Sequence, residues 1–329
     1  MNMPNANTPN LNTIDRSWIR PPLEDAIYIT GPTASGKSRL AVEVANRLNA
    51  EILSVDSMAV YRGMDIGTAK PSPDERGGIP HYLIDLVDPT DDYSVSQFVV
   101  EAHERAQEIR SRGKRVLLVG GTPLYLKTLL CGMFLGPPAD WEFRKQVDED
   151  VAVYGIEALR NRLLQVDPLS AHKILPNDVR RMARALEVAR STGVPLSHWQ
   201  TQFEKLAIPK NSYAFVLSWE RSELHARVNE RVDSMFKAGL LEEVKTLVEK
   251  YGVLGRTASQ AVGYKESIEF LKGHITESML NDQVKAHTRQ FVRRQEIWFR
   301  SMPILRKLAA TKTTSIAEHA DQIQSLVSA

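Results

Sequence analysis

The stretch Gly31 to Ser38, GPTASGKS, restricts this chain more than any other. It reads GxxxxGK[ST] and stands between the apolar run Ala26-Ile27-Tyr28-Ile29-Thr30 and the amphipathic segment Arg39 to Leu48. A buried strand before it and a helix after it are the context in which this pattern folds as a phosphate-binding loop. Gly31 and Gly36 let the backbone turn so that successive N–H groups point inward, and the helix that follows adds the positive end of its dipole. Lys37 supplies a point charge, and the Ser38 hydroxyl is a ligand for Mg²⁺. Gly31, Pro32, Thr33, Ala34, Ser35, Gly36, Lys37 and Ser38 are therefore expected to bind a diphosphate or nucleotide. Any di- or triphosphate satisfies such a cradle, and a glycine-rich turn without a ligand is the plain alternative.

A chain of 329 residues with 43% hydrophobic content is long enough for one large domain and a smaller one. Cys131 is the single cysteine, which excludes a disulfide framework and a cysteine-based zinc site. No apolar run approaches bilayer length and the N-terminus lacks the layout of a secretion signal, so a cytoplasmic protein with no membrane partner is expected. The formal net charge is +2. Any nucleic-acid surface must then come from local clustering of positive residues.

In chain order, residues 1–20 show no periodicity and are expected to form a flexible extension. Glu51 to Val55 is a short apolar run that delivers Asp56 at its C-terminal end, either facing the phosphate loop or capping the next turn. Asp56 to Pro71 is polar and glycine-bearing and reads as a substrate loop. His81 to Val87 reads as a strand, Val95 to Arg112 as a helix, and Arg115 to Val119 as a buried strand ending in Gly120-Gly121-Thr122. Thr122 presents a hydroxyl at the strand ends and caps a helix through Leu130. Tyr213 to Trp219 reads as the last core strand, and the C-terminal third after it as helices from Val232 to Lys250, Ala258 to Lys272 and Thr276 to about Ser301. The alternation of strands and helices predicts an α/β fold, a P-loop NTPase-like core with a parallel sheet flanked by helices. Between residues 140 and 199 the pattern becomes helical with no strand, which predicts an inserted all-helical domain. The core then comprises 21–139 and 200–307, and 308–329 reads as a polar tail.

Arg221 and Arg227 lie near the start of the helix after that strand, where guanidinium groups can fork onto diphosphate oxygens. Pairing of Arg227 and Arg231 with Glu223 and Glu230 on a solvated face is the alternative. In the helical insert, Asn177-Asp178 caps a helix carrying Arg180, Arg181 and Arg184, a cluster suited to nucleic-acid phosphates. Glu187, three residues from Arg184, is its competing partner. From Lys285 to Lys307 the chain carries Arg289, Arg293, Arg294, Arg300 and Arg306 against one acid, Glu296.

GPTASGKS, DSMAVYRGMDIGTAKP, GGTPLYLK, PNDVRRMARALEV, RVDSMFKAGLLEEV, AVGYKE and TRQFVRRQEIWFR, in this order, resemble the tRNA dimethylallyltransferase family from about Ala26 to Arg300. The resemblance implies transfer of a dimethylallyl group from dimethylallyl diphosphate to N6 of adenine-37, next to the anticodon of tRNA. It implies Asp56 as the group that accepts the N6 proton, Thr122 as a residue that helps to hold the adenine, and Lys37 with the loop as the diphosphate cradle. Arg221 and Arg227 are expected on the diphosphate and Mg²⁺ as the cofactor. The implied tRNA contacts are Asp56, Ser57, Met58, Ala59, Thr122, Arg144, Arg180, Arg181, Met182, Ala183 and Arg184, on the anticodon stem-loop. A bacterial type is expected, since the second cysteine that an appended zinc finger needs is missing; a monomer is expected as well. A nucleoside kinase, a prenyltransferase for free adenine nucleotides and a noncatalytic tRNA-binding module are the rival classes.

Overall fold

The computed structural model describes residues 18–200 and 207–328. Of these, 22–130 and 207–328 form one compact unit, and 18–21 with 131–200 form another. Most of the expected N-terminal extension lies outside the described residues.

The larger unit is built on a six-stranded sheet. Its first part runs β1 (Ala26–Thr30), α1 (Lys37–Leu48), β2 (Ala50–Ser54), β3 (His81–Tyr82), α2 (Val95–Ser111), β4 (Arg115–Gly120) and α3 (Pro123–Cys131). After the second unit the chain returns as β5 (Tyr213–Trp219), α4 (Arg221–Lys237), α5 (Leu240–Tyr251), α6 (Tyr264–Leu271), α7 (Glu277–Arg300), β6 (Arg306–Ala310) and α8 (Ile316–Ser328). The strand order is β3-β2-β4-β1-β5-β6, and every neighbouring pair is parallel. Parallel strands covered on both faces need apolar residues at consecutive positions, and all five residues of β1 are buried. Ile27 and Ile29 pack with Leu117, Val119, Phe215, Leu217 and the inward face of α1, Leu40, Ala41 and Val44. Because β1 lies between β4 and β5, the loop that follows it emerges at the carboxyl ends of the strands, where open α/β sheets bind ligands. Among the described residues, no helix is long and apolar enough to cross a membrane.

Three stretches differ from the expectation. The strand expected from His81 to Val87 joins the sheet at His81 and Tyr82, because Leu83 and Asp85 adopt left-handed backbone (φ +62° and +55°) and turn the chain off it; Val87 then meets Tyr61 in an isolated parallel bridge. The segment read as a tail from 308 to 329 is part of the core: Leu308 and Ala310 of β6 and Ala320 and Ile323 of α8 are buried against α1 and the sheet. A helix expected from Val232 to Lys250 is interrupted at Gly239, whose φ of +99° ends α4 and starts α5.

The second unit is helical, with helices Trp141–Tyr154, Ile156–Val166, Pro168–Lys173, Val179–Thr192 and Leu196–Trp199 around a core of Phe143, Val147, Leu159, Leu163, Met182 and Leu186. Asp140 and Asp178 cap two of these helices through the N–H groups of Phe143 and Arg181. The unit begins earlier than residue 140. Met133 and Phe134 pair antiparallel with Arg20 and Ile19, and Trp18 packs against Phe134 and Trp199 at ring distances of 6.2 and 6.0 Å. Trp18 to Arg20, assigned to the flexible extension by sequence, are thus held in this unit.

Candidate active site

The loop after β1 is fastened by its carbonyl groups. Trp219 at the end of β5 donates its indole N–H to the Ser35 carbonyl at 2.9 Å, and Arg227 of α4 donates its Nε–H to the Ala34 carbonyl at 2.8 Å. The Arg227 guanidinium also lies over the Trp219 ring, 4.2 Å from its centre. With two carbonyls held back, the N–H edge of the loop and the start of α1 are left for an anion. Gly36 has φ +91°, and no side chain caps α1. A Cβ at Gly36 would lie 3.6 Å from Arg227 Nη2, and one at Gly31 would come within 2.8 Å of Ser35 Oγ. A cavity of about 880 Å³ opens here, lined by Gly36, Lys37, Ser38, Arg227, Arg231 and the 65–76 segment.

Asp56 follows β2. Its Oδ1 accepts the N–H groups of Met58 (2.8 Å) and Ala59 (3.3 Å), so Asp56 caps the next turn, while its charge also acts on Lys37 of the phosphate loop. A carboxylate has two oxygens, and Oδ2 takes part in neither bond. Thr122 Oγ1 accepts the Ser57 N–H at 3.0 Å, which ties the Asp56 turn to the turn after β4. That second turn passes so close that a Cβ at Gly120 would come 2.0 Å from the Val55 carbonyl oxygen.

The electrostatics link the two turns. Burial pushes Lys37 down to about 8, Arg231 pushes it the same way, and Asp56 opposes both. Arg231 is likewise lowered by burial, with Asp56 and Glu75 acting against the shift. The Tyr125 hydroxyl of α3 is pushed well up, first by burial and then by Tyr61 and Asp56. One carboxylate and two partly desolvated cations therefore share this end of the sheet.

The 65–70 segment is a fixed wall of the cavity. Glu243 of α5 accepts the N–H groups of Asp65, Ile66 and Gly67 at 3.0, 2.7 and 3.3 Å, and also the Tyr264 hydroxyl. Lys70, with its side chain 3% exposed, is held by Asp65 at 2.5 Å and Asp85 at 2.6 Å. Its charge is consumed inside the wall.

The remaining expected residues divide. Arg221 does not reach the Lys37 cavity; it lines a separate one of about 680 Å³ with Arg293, Arg300 and Lys307 that meets the loop only at Pro32. Ala59 is 5% exposed, leaving little of it for a ligand. In the helical unit Arg180 and Arg181 are exposed, Arg181 beside Asp178 at 3.3 Å. Met182 and Ala183, expected to touch RNA, face the other way, 0% and 6% exposed in the helical core, because the Val179–Thr192 helix buries that face. Arg144 and Arg184 are drawn to Glu187, which is 1% exposed: Arg144 donates at 3.0 and 2.9 Å, and Arg184 pairs with the second oxygen.

A family model described as IPP transferase matches residues 59–302. The chain belongs to that family. A tRNA dimethylallyltransferase of Rhodopirellula baltica is 47% identical over 315 residues, covering 93% of this chain and 94% of the relative. One from Geobacter sulfurreducens is 44% identical over 280 residues, 85% of this chain and 90% of the relative. The crystal structure of the tRNA isopentenylpyrophosphate transferase from Bacillus halodurans superposes with a TM-score of 0.68 at 37% identity, covering 93% and 97% of the two chains. A eukaryotic dimethylallyltransferase captured acting on tRNA gives a TM-score of 0.76 at 29% identity, over 92% of this chain and 77% of that one.

In this IPP transferase, three residues at the site escape a reading of the sequence. Arg231 lines the Lys37 cavity, donates Nη2–H to the Thr68 carbonyl at 3.3 Å and keeps a buried Nε without a hydrogen-bond partner among the described residues. Helical spacing alone set it on a solvated face. Glu243 and Gln295 lie far along the chain and bond mainly to backbone groups, for which sequence carries no signal.

Proposed function

We propose that this protein transfers a dimethylallyl group from dimethylallyl diphosphate to N6 of adenine-37, beside the anticodon of tRNA, and releases diphosphate. The observation that carries the reading is that Lys37 and Arg231 line one cavity beside the phosphate loop and that the charge of Asp56 acts on both. The adenine amine is a poor nucleophile, and the allylic carbon reacts as its bond to the diphosphate oxygen lengthens. Lys37, Arg227, Arg231 and the loop N–H groups hold the departing diphosphate and stabilise the charge that grows on it. Asp56, through the oxygen its own turn does not use, takes the N6 proton as the new C–N bond forms. Its negative charge also favours the cationic carbon.

Among the described residues, no group of three or more His, Cys, Asp or Glu is placed to hold a metal ion. The donor set suits a metal carried by the substrate: Ser38 would give one hydroxyl ligand, and diphosphate oxygens and water the others. Mg²⁺ bound there would neutralise leaving-group charge.

For the tRNA, the exposed Arg180 and Arg181 are the cations best placed to meet phosphates. Arg144 and Arg184 would first have to leave Glu187, so their part is to stiffen the helical unit that presents the other two. Base chemistry at an exocyclic amine requires adenine-37 to leave its stack.

The test is incubation with Mg²⁺ and labelled dimethylallyl diphosphate, offering unmodified tRNA or AMP, beside a reaction with labelled ATP. Label should enter tRNA and fail to do so with Asp56→Ala. Label in AMP alone, or phosphate transfer from ATP, would replace this reading with one of its rivals.

A further inference from the structure

Gln295 is the residue of α7 whose side chain joins the two halves of the site. It is 3% exposed. Its Oε1 accepts the Thr33 N–H of the phosphate loop at 2.9 Å, and its Nε2–H donates to the Gly121 carbonyl at 2.7 Å. A main-chain N–H only donates and a carbonyl only accepts, so the amide orientation follows from its partners. A planar amide is suited to doing both with one terminal group; a carboxyl matches it only when protonated.

The contact is tight. A Cβ built on Gly121 would lie 2.8 Å from Gln295 Nε2, 3.2 Å from the Gly31 carbonyl oxygen and 3.5 Å from Lys37 Nζ. Loop, turn and Lys37 ammonium thus converge on one glycine that has no room for a side chain. Beyond it the bonds continue: Gly121 is followed by Thr122, whose hydroxyl accepts the Ser57 N–H next to Asp56. The same helix packs Val292 against Leu224 and Val228 of α4, and Arg289 donates to Asn229 at 2.6 Å, on the helix that carries Arg227 and Arg231.

We propose that Gln295 is a positioning residue that sets the separation between the phosphate loop and the Gly120–Thr122 turn, and through them between the diphosphate cradle and the Asp56 base. Both ends of its amide are taken up by backbone groups, those of Thr33 and Gly121. The inference rests on the transferase reading for its consequence in catalysis, and on diphosphate binding alone for its first test.

Gln295→Glu retains the shape. At about pH 7.5 its carboxylate cannot donate to the Gly121 carbonyl and sets a negative charge near Lys37; below the pKa of about 4.3 of an ordinary glutamate a protonated carboxyl restores both bonds. Binding of inorganic diphosphate with Mg²⁺ is measured by calorimetry for the full-length wild type, Gln295→Glu and Gln295→Met, with thermal unfolding alongside. We expect folded Gln295→Glu to bind about tenfold or more weakly at the higher pH, with the deficit closing as the pH falls. Gln295→Met, which does not titrate, should be weakened equally at both. A folded variant that binds within about twofold of wild type at the higher pH, or a Glu deficit that does not change with pH, overturns the proposal. If Gln295→Glu does not fold, Gln295→Met decides by the same comparison. Failure of wild-type label transfer to tRNA with diphosphate binding intact would sink the transferase reading and leave this one standing.

Discussion

The Arg227 guanidinium lies 4.2 Å from the centre of the Trp219 ring, and the two side chains hold adjacent carbonyls of one loop, those of Ala34 and Ser35. Lysine keeps the charge of arginine but loses the planar Nε–H donor and most of the stacking. Arg227→Lys should therefore weaken diphosphate binding about tenfold, and Trp219→Phe, which keeps a ring but not the indole N–H, should cost about 1 kcal/mol of stability. Calorimetry with inorganic diphosphate and thermal unfolding check the pair. Arg227→Lys binding as wild type does would show that only the charge matters.

Lys37 titrates near 8, below the 10.5 of an ordinary lysine, because burial and Arg231 disfavour its charge. Diphosphate affinity should accordingly be steady below pH 8 and fall by about tenfold for each pH unit above it. The stability effect has the opposite sense. The folded chain binds this proton less tightly than the unfolded chain, so stability from this group falls as the pH drops from about 10.5 to about 8 and stays low beneath. Lys37→Met should raise the unfolding temperature at pH 7 while abolishing diphosphate binding; a lowered temperature would contradict the placement of the ammonium.

The phosphate loop and the strands around it were legible because their apolar runs and glycines admit few other folds. Strand β6, Arg306–Ala310, was not: an edge strand exposing Arg306, Lys307 and Ala309 lacks the continuous apolar run of the central ones. For a related reason Arg231 was not singled out, since periodicity finds the face of a helix turned from the core but not whether that face looks onto water or a cavity. The arginine cluster of the helical unit was visible as a cluster, yet only the fold reveals that Glu187 takes up two of its charges.

Glu187 should be the most sensitive position of that unit. Burial acts to raise its carboxyl, but hydrogen bonds from Arg144, Arg184 and the Asp140 N–H outweigh it and hold the group below the 4.5 of a free glutamate. Its contribution is thus present above pH 4.5 and lost as the pH falls through the lower folded value. Glu187→Ala leaves two guanidinium groups and one N–H without their acceptor, at a cost of about 3–5 kcal/mol. Thermal unfolding at pH 7 would show this, and a loss under about 1 kcal/mol would mean that water replaces the carboxylate freely.

Gly120→Ala places a methyl 2.0 Å from the oxygen and 2.3 Å from the carbon of the Val55 carbonyl. Both are backbone atoms, so relief requires β2 and β4 to separate. We expect a loss of about 3 kcal/mol or more, read as a lowered urea midpoint. Wild-type stability would show that the two turns have slack.

The last strand and helix carry a consequence for synthesis. Strand β5 lies between β1 and β6, and Ala320 and Ile323 of α8 close over the helix that begins at Lys37. The phosphate loop is synthesised well before β5, β6 and α8, so the side of the sheet that supports it stays open until those elements have been made. The nascent chain therefore carries this loop with an incomplete core beneath it until its later strands and helix have emerged, and gains a competent cradle only then.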